Sequence, residues 1–265
     1  MIRVIRAEWR KLRRPTLFLG TLGAVGAISI LTSSIPYIAM DLPRRGRERG
    51  FSRETIEGFT GLSLGLAFAS TLLGIVALSV FASQTAQEYS HGTLRNLLVR
   101  QPRRMVLLGG KAIAMALFGL LVVLETAIIS VVAEFIWANA KGISTSAWTA
   151  GGLGGDGIIN LFTTLGNVAL ATIGFGIIGM LLGLVLRSPI SSIAIGISWV
   201  MVVEGIVGAV WESTQKYLPG QLLAAVGTGG SDTISYKWAL TTSVLILIGA
   251  GALAAFLFKK RDVSS

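Results

Sequence analysis

Apolar residues run along this chain in six long blocks, near residues 16–40, 59–86, 105–137, 158–186, 189–211 and 238–258. Each is long enough to cross a hydrocarbon core about 30 Å thick at about 1.5 Å per helical residue. The second, third and fourth exceed the roughly 20 residues that suffice, so they tilt or project beyond the membrane. The pattern predicts an all-α membrane protein: one domain of six transmembrane helices, residues 15–265.

Residues 1–14 carry a different pattern. Ile2, Ile5, Trp9 and Leu12 form one helical stripe, and Arg3, Arg6, Arg10 and Arg13 a second, one residue out of phase. An apolar face with Trp beside a cationic face describes an amphipathic helix lying in the interface against anionic lipid. The loop at 138–157 is rich in Gly, Ser and Thr and is expected to be flexible, with Asp156 as N-cap of the fourth span. Tyr217–Val226 is apolar but too short to span, which reads as a re-entrant or interfacial segment before the sixth span.

Composition agrees with the pattern. Apolar residues make up 52% and charged residues 14%, and a soluble domain carries roughly 25% charged residues. The chain has no cysteine, which removes disulfide and thiolate chemistry. A net charge of +10 raises the question of nucleic acid, but most Lys and Arg sit at the ends of apolar spans. The inner-face bias of membrane proteins explains that placement without a nucleic-acid partner. The first apolar run is too long for a signal-peptide core. With the N-terminus inside, inner segments hold 15 of the 23 basic residues, so both termini are expected in the cytoplasm. One outer loop fits poorly, with Arg44, Arg45, Arg47, Arg49 and Arg53 nearly balanced by four acids. It reads as a solvated loop or as a basic rim that touches headgroups or an anionic substrate.

Between the second and third spans lies a polar island, Glu88–Lys111, with five basic residues and Glu88 as its only acid. Leu94, Leu97 and Leu98 fall at i, i+3, i+4, so a short amphipathic helix is expected from Thr93. Gly92 precedes it and Pro102 ends it. About two turns cannot cross a bilayer but can rest on its surface.

The order E-Y-x-x-G-T-L-R, short helix, P-x-R-R and G-K resembles the ABC-2 type transporter permeases, the membrane subunits of bacterial ATP-driven exporters. The matching residues are Glu88, Gly92, Thr93, Leu94, Arg95, Leu97, Leu98, Pro102, Arg103, Arg104 and Lys111. Elsewhere the resemblance lies in the spacing of elements. It implies that Gly92, Thr93, Leu94, Arg95, Leu97, Leu98 and Arg100 form a cytoplasmic coupling helix seated in a groove of a separate ATPase subunit. It also implies two permease chains, identical or homologous, with two ATPase chains in the bacterial inner membrane. ATP and magnesium would belong to the ATPase. On this reading Leu97 and Leu98 face the partner.

Three acids interrupt the apolar runs, Glu125 and Glu134 in the third and Glu204 in the fifth. A carboxylate at the bilayer centre costs about 2.5–3.5 kcal/mol on insertion scales, so each should face the bundle interior or water. Each reads either as part of a substrate path or as an interhelical hydrogen bond. Glu125 and Glu134 are nine residues apart, which puts them on opposite faces of one helix. Asn160 and Asn167 share a face and read as bonds to neighbouring helices. Gly61-x-x-x-Gly65 and Gly179-x-x-x-Gly183 permit close helix approach. His91 has no ligand cluster around it, and no metal-ligand spacing or nucleophile–base arrangement appears. The phosphate-binding G-x-x-x-x-G-K-[ST] is absent, because Gly110-Lys111 lacks the upstream glycine. Catalysis in this chain is therefore not expected, and its energy comes from a partner or from an ion gradient. Beside the exporter reading stand an ion-coupled transporter using Glu125 and a non-transporting anchor or sensor.

Overall fold

A computed structural model of the protein describes residues 1–40 and 52–260. Arg44, Arg45, Arg47 and Arg49 of the basic loop lie outside the described residues. Six helical segments are long and apolar enough to cross a membrane. They are α2 (Pro15–Ala39), α4 (Leu64–Ser90, preceded by a 3-10 turn from Phe59), α6 (Arg104–Lys141), α8 (Asp156–Leu186), the pair α9 (Pro189–Ser198) and α10 (Glu204–Val210), and α12 (Tyr236–Lys260). Shorter helices are α1 (Ile2–Leu12), α3 (Arg53–Glu57), α5 (Thr93–Arg100), α7 (Ser146–Thr149) and α11 (Pro219–Thr228). No strand occurs among the described residues.

α4 and α8 form the centre. Of their most apolar stretches 56% is buried, against 11% for α12. They meet closely because Gly179 and Gly183 lie on the backbone of α4: a Cβ at Gly179 would collide with the Leu78 carbonyl, and one at Gly183 with that of Ala82. The glycine spacing seen in the sequence is thus the seam of the bundle. Leu66, Leu73, Phe81, Phe118, Val122 and Val168 fill the adjoining core, which α1 and α2 complete through Leu12 and Val25.

α2 and α6 run in the same direction, as shown by Trp137 Nε1 donating to Ser34 Oγ at 2.9 Å near their ends and Ile129 beside Gly26 nearer their middles. α1 folds back onto the start of α6. Its Arg3, Arg6, Arg10 and Arg13 are exposed, whereas Val4, Ile5, Trp9 and Leu12 pack on the bundle. Ile2, expected in the apolar stripe, is 68% exposed.

The glycine-rich 138–157 loop is more ordered than its composition suggests. α6 continues to Lys141, and Trp148 of α7 is fully buried with its Nε1 donating to the Ile56 carbonyl at 2.9 Å. Burial of one indole fixes the segment against residues 52–63. Asp156 also differs from expectation: Gly155 is the N-cap, and Asp156 is the first helical residue with no capping bond. An acid there still favours the positive end of the helix dipole. α9 and α10 are joined by a π-helical turn, Trp199–Val203, so the fifth span carries one wide turn.

α11 wedges into the bundle between α4, α8 and α12. Leu223 packs with Leu78 and Phe175, while Leu222 and Val226 are buried beside Ala239.

Candidate functional site

At one end of the bundle, α1 lies against the last turn of α4 and the first turns of α6. Four charged side chains close a ring there. Lys11 Nζ lies 2.6 Å from Glu8 Oε1 and 2.8 Å from Glu88 Oε1. Lys111 Nζ lies 2.9 Å from Glu8 Oε2 and 2.7 Å from Glu88 Oε1, and also donates to the Gln84 carbonyl at 3.2 Å. Each amine thus bridges both carboxylates, and the ring sums to zero charge. Glu8, Glu88 and Lys111 are buried, while Lys11 closes the solvent side.

Burial alone would push the Glu8 carboxyl up, but Lys111 and Lys11 outweigh it and hold it below the ordinary carboxylate value. Burial would likewise lower Lys11, but Glu88 and Glu8 outweigh it and raise its ammonium. Both shifts reflect the same fact: each charge is stable there only because its neighbours are. The glutamate of α1 lies on the face shared with Ile5 and Leu12, and that is the signal sequence reading missed.

The ring adjoins α5. Gly92 takes a left-handed conformation (φ 65°) that turns the chain from α4 into α5, a backbone shape that only glycine adopts readily. Leu94 is 4% exposed and packs with Leu107, Leu184, Ala254 and Phe258, and Leu97 is half-buried against the same group. Leu94 therefore turns inward onto this chain's own helices, and Leu97 lies at the edge of the same group. An amphipathic stripe finds the nearest apolar surface, and here the ends of α6, α8 and α12 supply it. Val99 is 79% exposed and Asn96 and Thr93 are exposed, so these form the outer side. The side chains of Arg95, Leu98 and Arg100 lie outside the described ones. A cavity of about 510 Å³ opens between α1, α4 and α5, lined by Lys11, Arg14, Gln87, His91, Asn96 and Leu97 among others.

Other termini converge at the same end. Arg104 donates to the Phe258 carbonyl at 3.2 Å, tying the start of α6 to the end of α12. Arg187, with φ 53° at the end of α8, sets its guanidinium 5.4 Å from the centre of the Tyr89 ring.

The three acids within the spans do not gather around one path. Glu134 is buried, and its Oε1 accepts from the Gly65 N–H at 2.6 Å, at the start of α4. Glu204 is also buried. Its Oε1 accepts from Trp199 Nε1 at 2.8 Å and the Gly220 N–H at 3.0 Å, and its Oε2 from the Gln221 N–H at 2.9 Å. Each is a carboxylate on one helix capping the N-terminus of another, where unpaired N–H groups and the helix dipole favour negative charge. Glu125 alone opens outward, half-buried in a groove of about 360 Å³ lined by Leu22, Leu121, Leu124, Ile128 and Ile129. Its Oε2 has no hydrogen-bond partner. Asn160 Oδ1 accepts from Ser63 and Asn167 Oδ1 from Tyr236, each at 2.6 Å, so both asparagines bond neighbouring segments as expected.

These features define an all-helical protein with six helices suited to a membrane and a charge-locked end. The chain belongs to the family described as "Protein of unknown function (DUF2705)", whose model matches residues 35–264. No curated protein matches the sequence.

Proposed function

We propose that the chain is the permease subunit of an ATP-driven exporter, working as two permease chains with two ATPase chains in a bacterial cytoplasmic membrane. The observation that carries the reading is the seat of α5. A short helix between the second and third spans packs at the end of the bundle where α1, α4, α6, α8 and α12 converge, beside a ring that locks three of them together. Force applied to α5 would reach four spans through contacts already in place.

On this reading that end is cytoplasmic, because Arg3, Arg6, Arg10, Arg13, Arg14, Arg103, Arg104 and Arg187 cluster there. Both described termini emerge from it. α1 lies at the lipid interface with its arginines toward anionic headgroups, and α11 enters from the outer side. The ATPase meets Thr93, Asn96 and Val99, binds ATP and magnesium itself, and drives α5 as a lever. A second reading, an ion-coupled carrier, rests on the unpartnered Glu125 oxygen within the third span.

Co-purification with an ATPase encoded beside it, followed by ATP hydrolysis in lipid, separates the two. The exporter reading expects a stable complex whose hydrolysis responds to substrate and no hydrolysis by this chain alone. Uptake driven by an ion gradient without ATP would replace it with the second.

A further inference from the structure

The cavity between α1, α4 and α5 holds donors that the ring beside it does not use. At about 510 Å³ it lies within the usual span of small-molecule sites, about 300–1,000 Å³. Arg14, Gln84, Gln87, His91 and Asn96 line it, and their side chains make no hydrogen bond or ion pair among the described residues. Lys11 lines it too; of its three donors, two go to Glu8 and Glu88 and one is left. Glu88 is the acid of the lining, and Lys11 and Lys111 both hold it. The ring is neutral, so Arg14 leaves the lining with a positive charge. Around it, residues 1–14 and 88–111 carry eleven basic residues and two acids. Such a field draws anions in and keeps cations out.

Depth narrows the ligand. The lining falls where the apolar runs of the first two spans meet α1 and the polar island, near residues 16 and 86. A bilayer places its lipid phosphates at that level. Geometry narrows it again, because Lys11 comes from α1, Arg14 from the start of α2, Gln87 from α4 and Asn96 from α5. A carboxylate offers two oxygens in one plane, whereas the oxygens of a phosphate point in tetrahedral directions and meet donors from several sides. We propose that this cavity binds a phosphate ester, with its free oxygens at Arg14 and Lys11 and its organic group toward Leu97. An anionic lipid headgroup and a soluble phosphate ester share that chemistry. Bound there, the ester would tie α5 to α1 through Asn96 and Arg14. The proposal stands apart from the exporter reading, since it needs neither ATP nor a second chain.

The test uses the purified full chain in neutral detergent, with bound lipid counted by native mass spectrometry during titration. Phosphatidylglycerol is compared with dioleoylglycerol hemisuccinate, which carries the same charge on a carboxylate. Expected is one saturable phosphatidylglycerol site, filled at about tenfold lower concentration than the hemisuccinate, a preference of about 1.4 kcal/mol. Arg14→Gln should erase that preference, and Gln87→Leu should weaken binding about threefold with the charge unchanged. Arg6→Gln removes an equal charge from the exposed stripe of α1 and should leave binding intact. Melting curves in the same detergent verify that each variant is folded. Displacement of the lipid by glycerol phosphate assigns the site to soluble esters, and a lipid that glycerol phosphate cannot displace assigns it to the headgroup. Equal binding of the hemisuccinate, or equal losses in Arg14→Gln and Arg6→Gln, would reduce the effect to diffuse surface charge and overturn the proposal. Absence of saturable phosphatidylglycerol or glycerol phosphate binding would overturn it too, leaving the cavity to an acidic side chain of a protein partner.

Discussion

Glu8 and Lys111 are 103 positions apart in the chain, yet their charged atoms lie 2.9 Å apart and both are buried. That contact, closed through Lys11 and Glu88, makes the N-terminal helix a fixed part of the bundle.

Removing one member of the ring should therefore cost more than a surface ion pair does. In Lys111→Met, two carboxylates remain buried with one amine between them, a loss of about 3–5 kcal/mol. Glu8→Gln combined with Lys111→Met restores neutrality and should recover part of it. Thermal unfolding of the two variants in the same detergent measures the difference, and an unchanged midpoint in Lys111→Met would show that the ring carries no stability.

The ring also sets a pH range. Glu8 is depressed on folding, so its contribution is present above the ordinary carboxylate value of 4.5 and fades as pH falls through its lower folded value. Lys11 is raised, so its contribution is present below 10.5 and fades as pH rises through its higher folded value. Attachment of α1 should be flat from about pH 5 to 10 and loosen below that range. Amide hydrogen exchange of residues 2–12, corrected for the intrinsic pH dependence, reads this directly.

On α5, direction decides outcome. Leu94→Glu buries a charge among Leu107, Leu184 and Phe258 and should destabilise the protein by several kcal/mol, about the penalty for an unpaired buried ion. Val99→Glu should leave stability within about 0.5 kcal/mol. If the outer side meets an ATPase, Val99→Glu folds and inserts normally but loses the partner. Pull-down of the ATPase beside a melting curve distinguishes the two. Normal assembly by Val99→Glu would remove that face from the interface.

Glu204 holds the first turn of α11, so Glu204→Ala leaves the Gly220 and Gln221 N–H groups without their acceptor. The expected cost is about 2–3 kcal/mol, with Glu204→Gln between the two because it keeps one carboxamide oxygen. The chain has no cysteine, so a single thiol introduced at Leu222 reports exposure of α11 by labelling rate. Labelling fastest in Glu204→Ala, intermediate in Glu204→Gln and slowest in the parent is the expected order.

The six spans were legible because about 20 apolar residues in a row have few other fates. Their ends fall close to those of the apolar runs, with the largest differences at Ser90 and Lys141, where α4 and α6 continue past the expected 86 and 137. The short helix at Thr93–Arg100 was legible from Gly92, Pro102 and the leucine spacing. Which surface its leucines would meet was not, because periodicity says which residues share a face and nothing about what lies opposite. The same limit hid the ring. Glu8 is one acid in a basic helix, and Lys111 comes close to it only after the spans have packed. Glu134 and Glu204 were visible as acids in apolar runs, but the helix starts they cap lie on other segments.

The wide turn at Trp199–Val203 makes the fifth span behave as a phase adjuster. A residue lost there can be absorbed as the wide turn tightens to an α-helical one, but a residue gained would turn everything beyond it by about 100°. Glu204 follows that turn directly, so a one-residue insertion would swing its carboxylate off Gly220 and Gln221 without altering any side chain. At this place, counting residues matters more than choosing them.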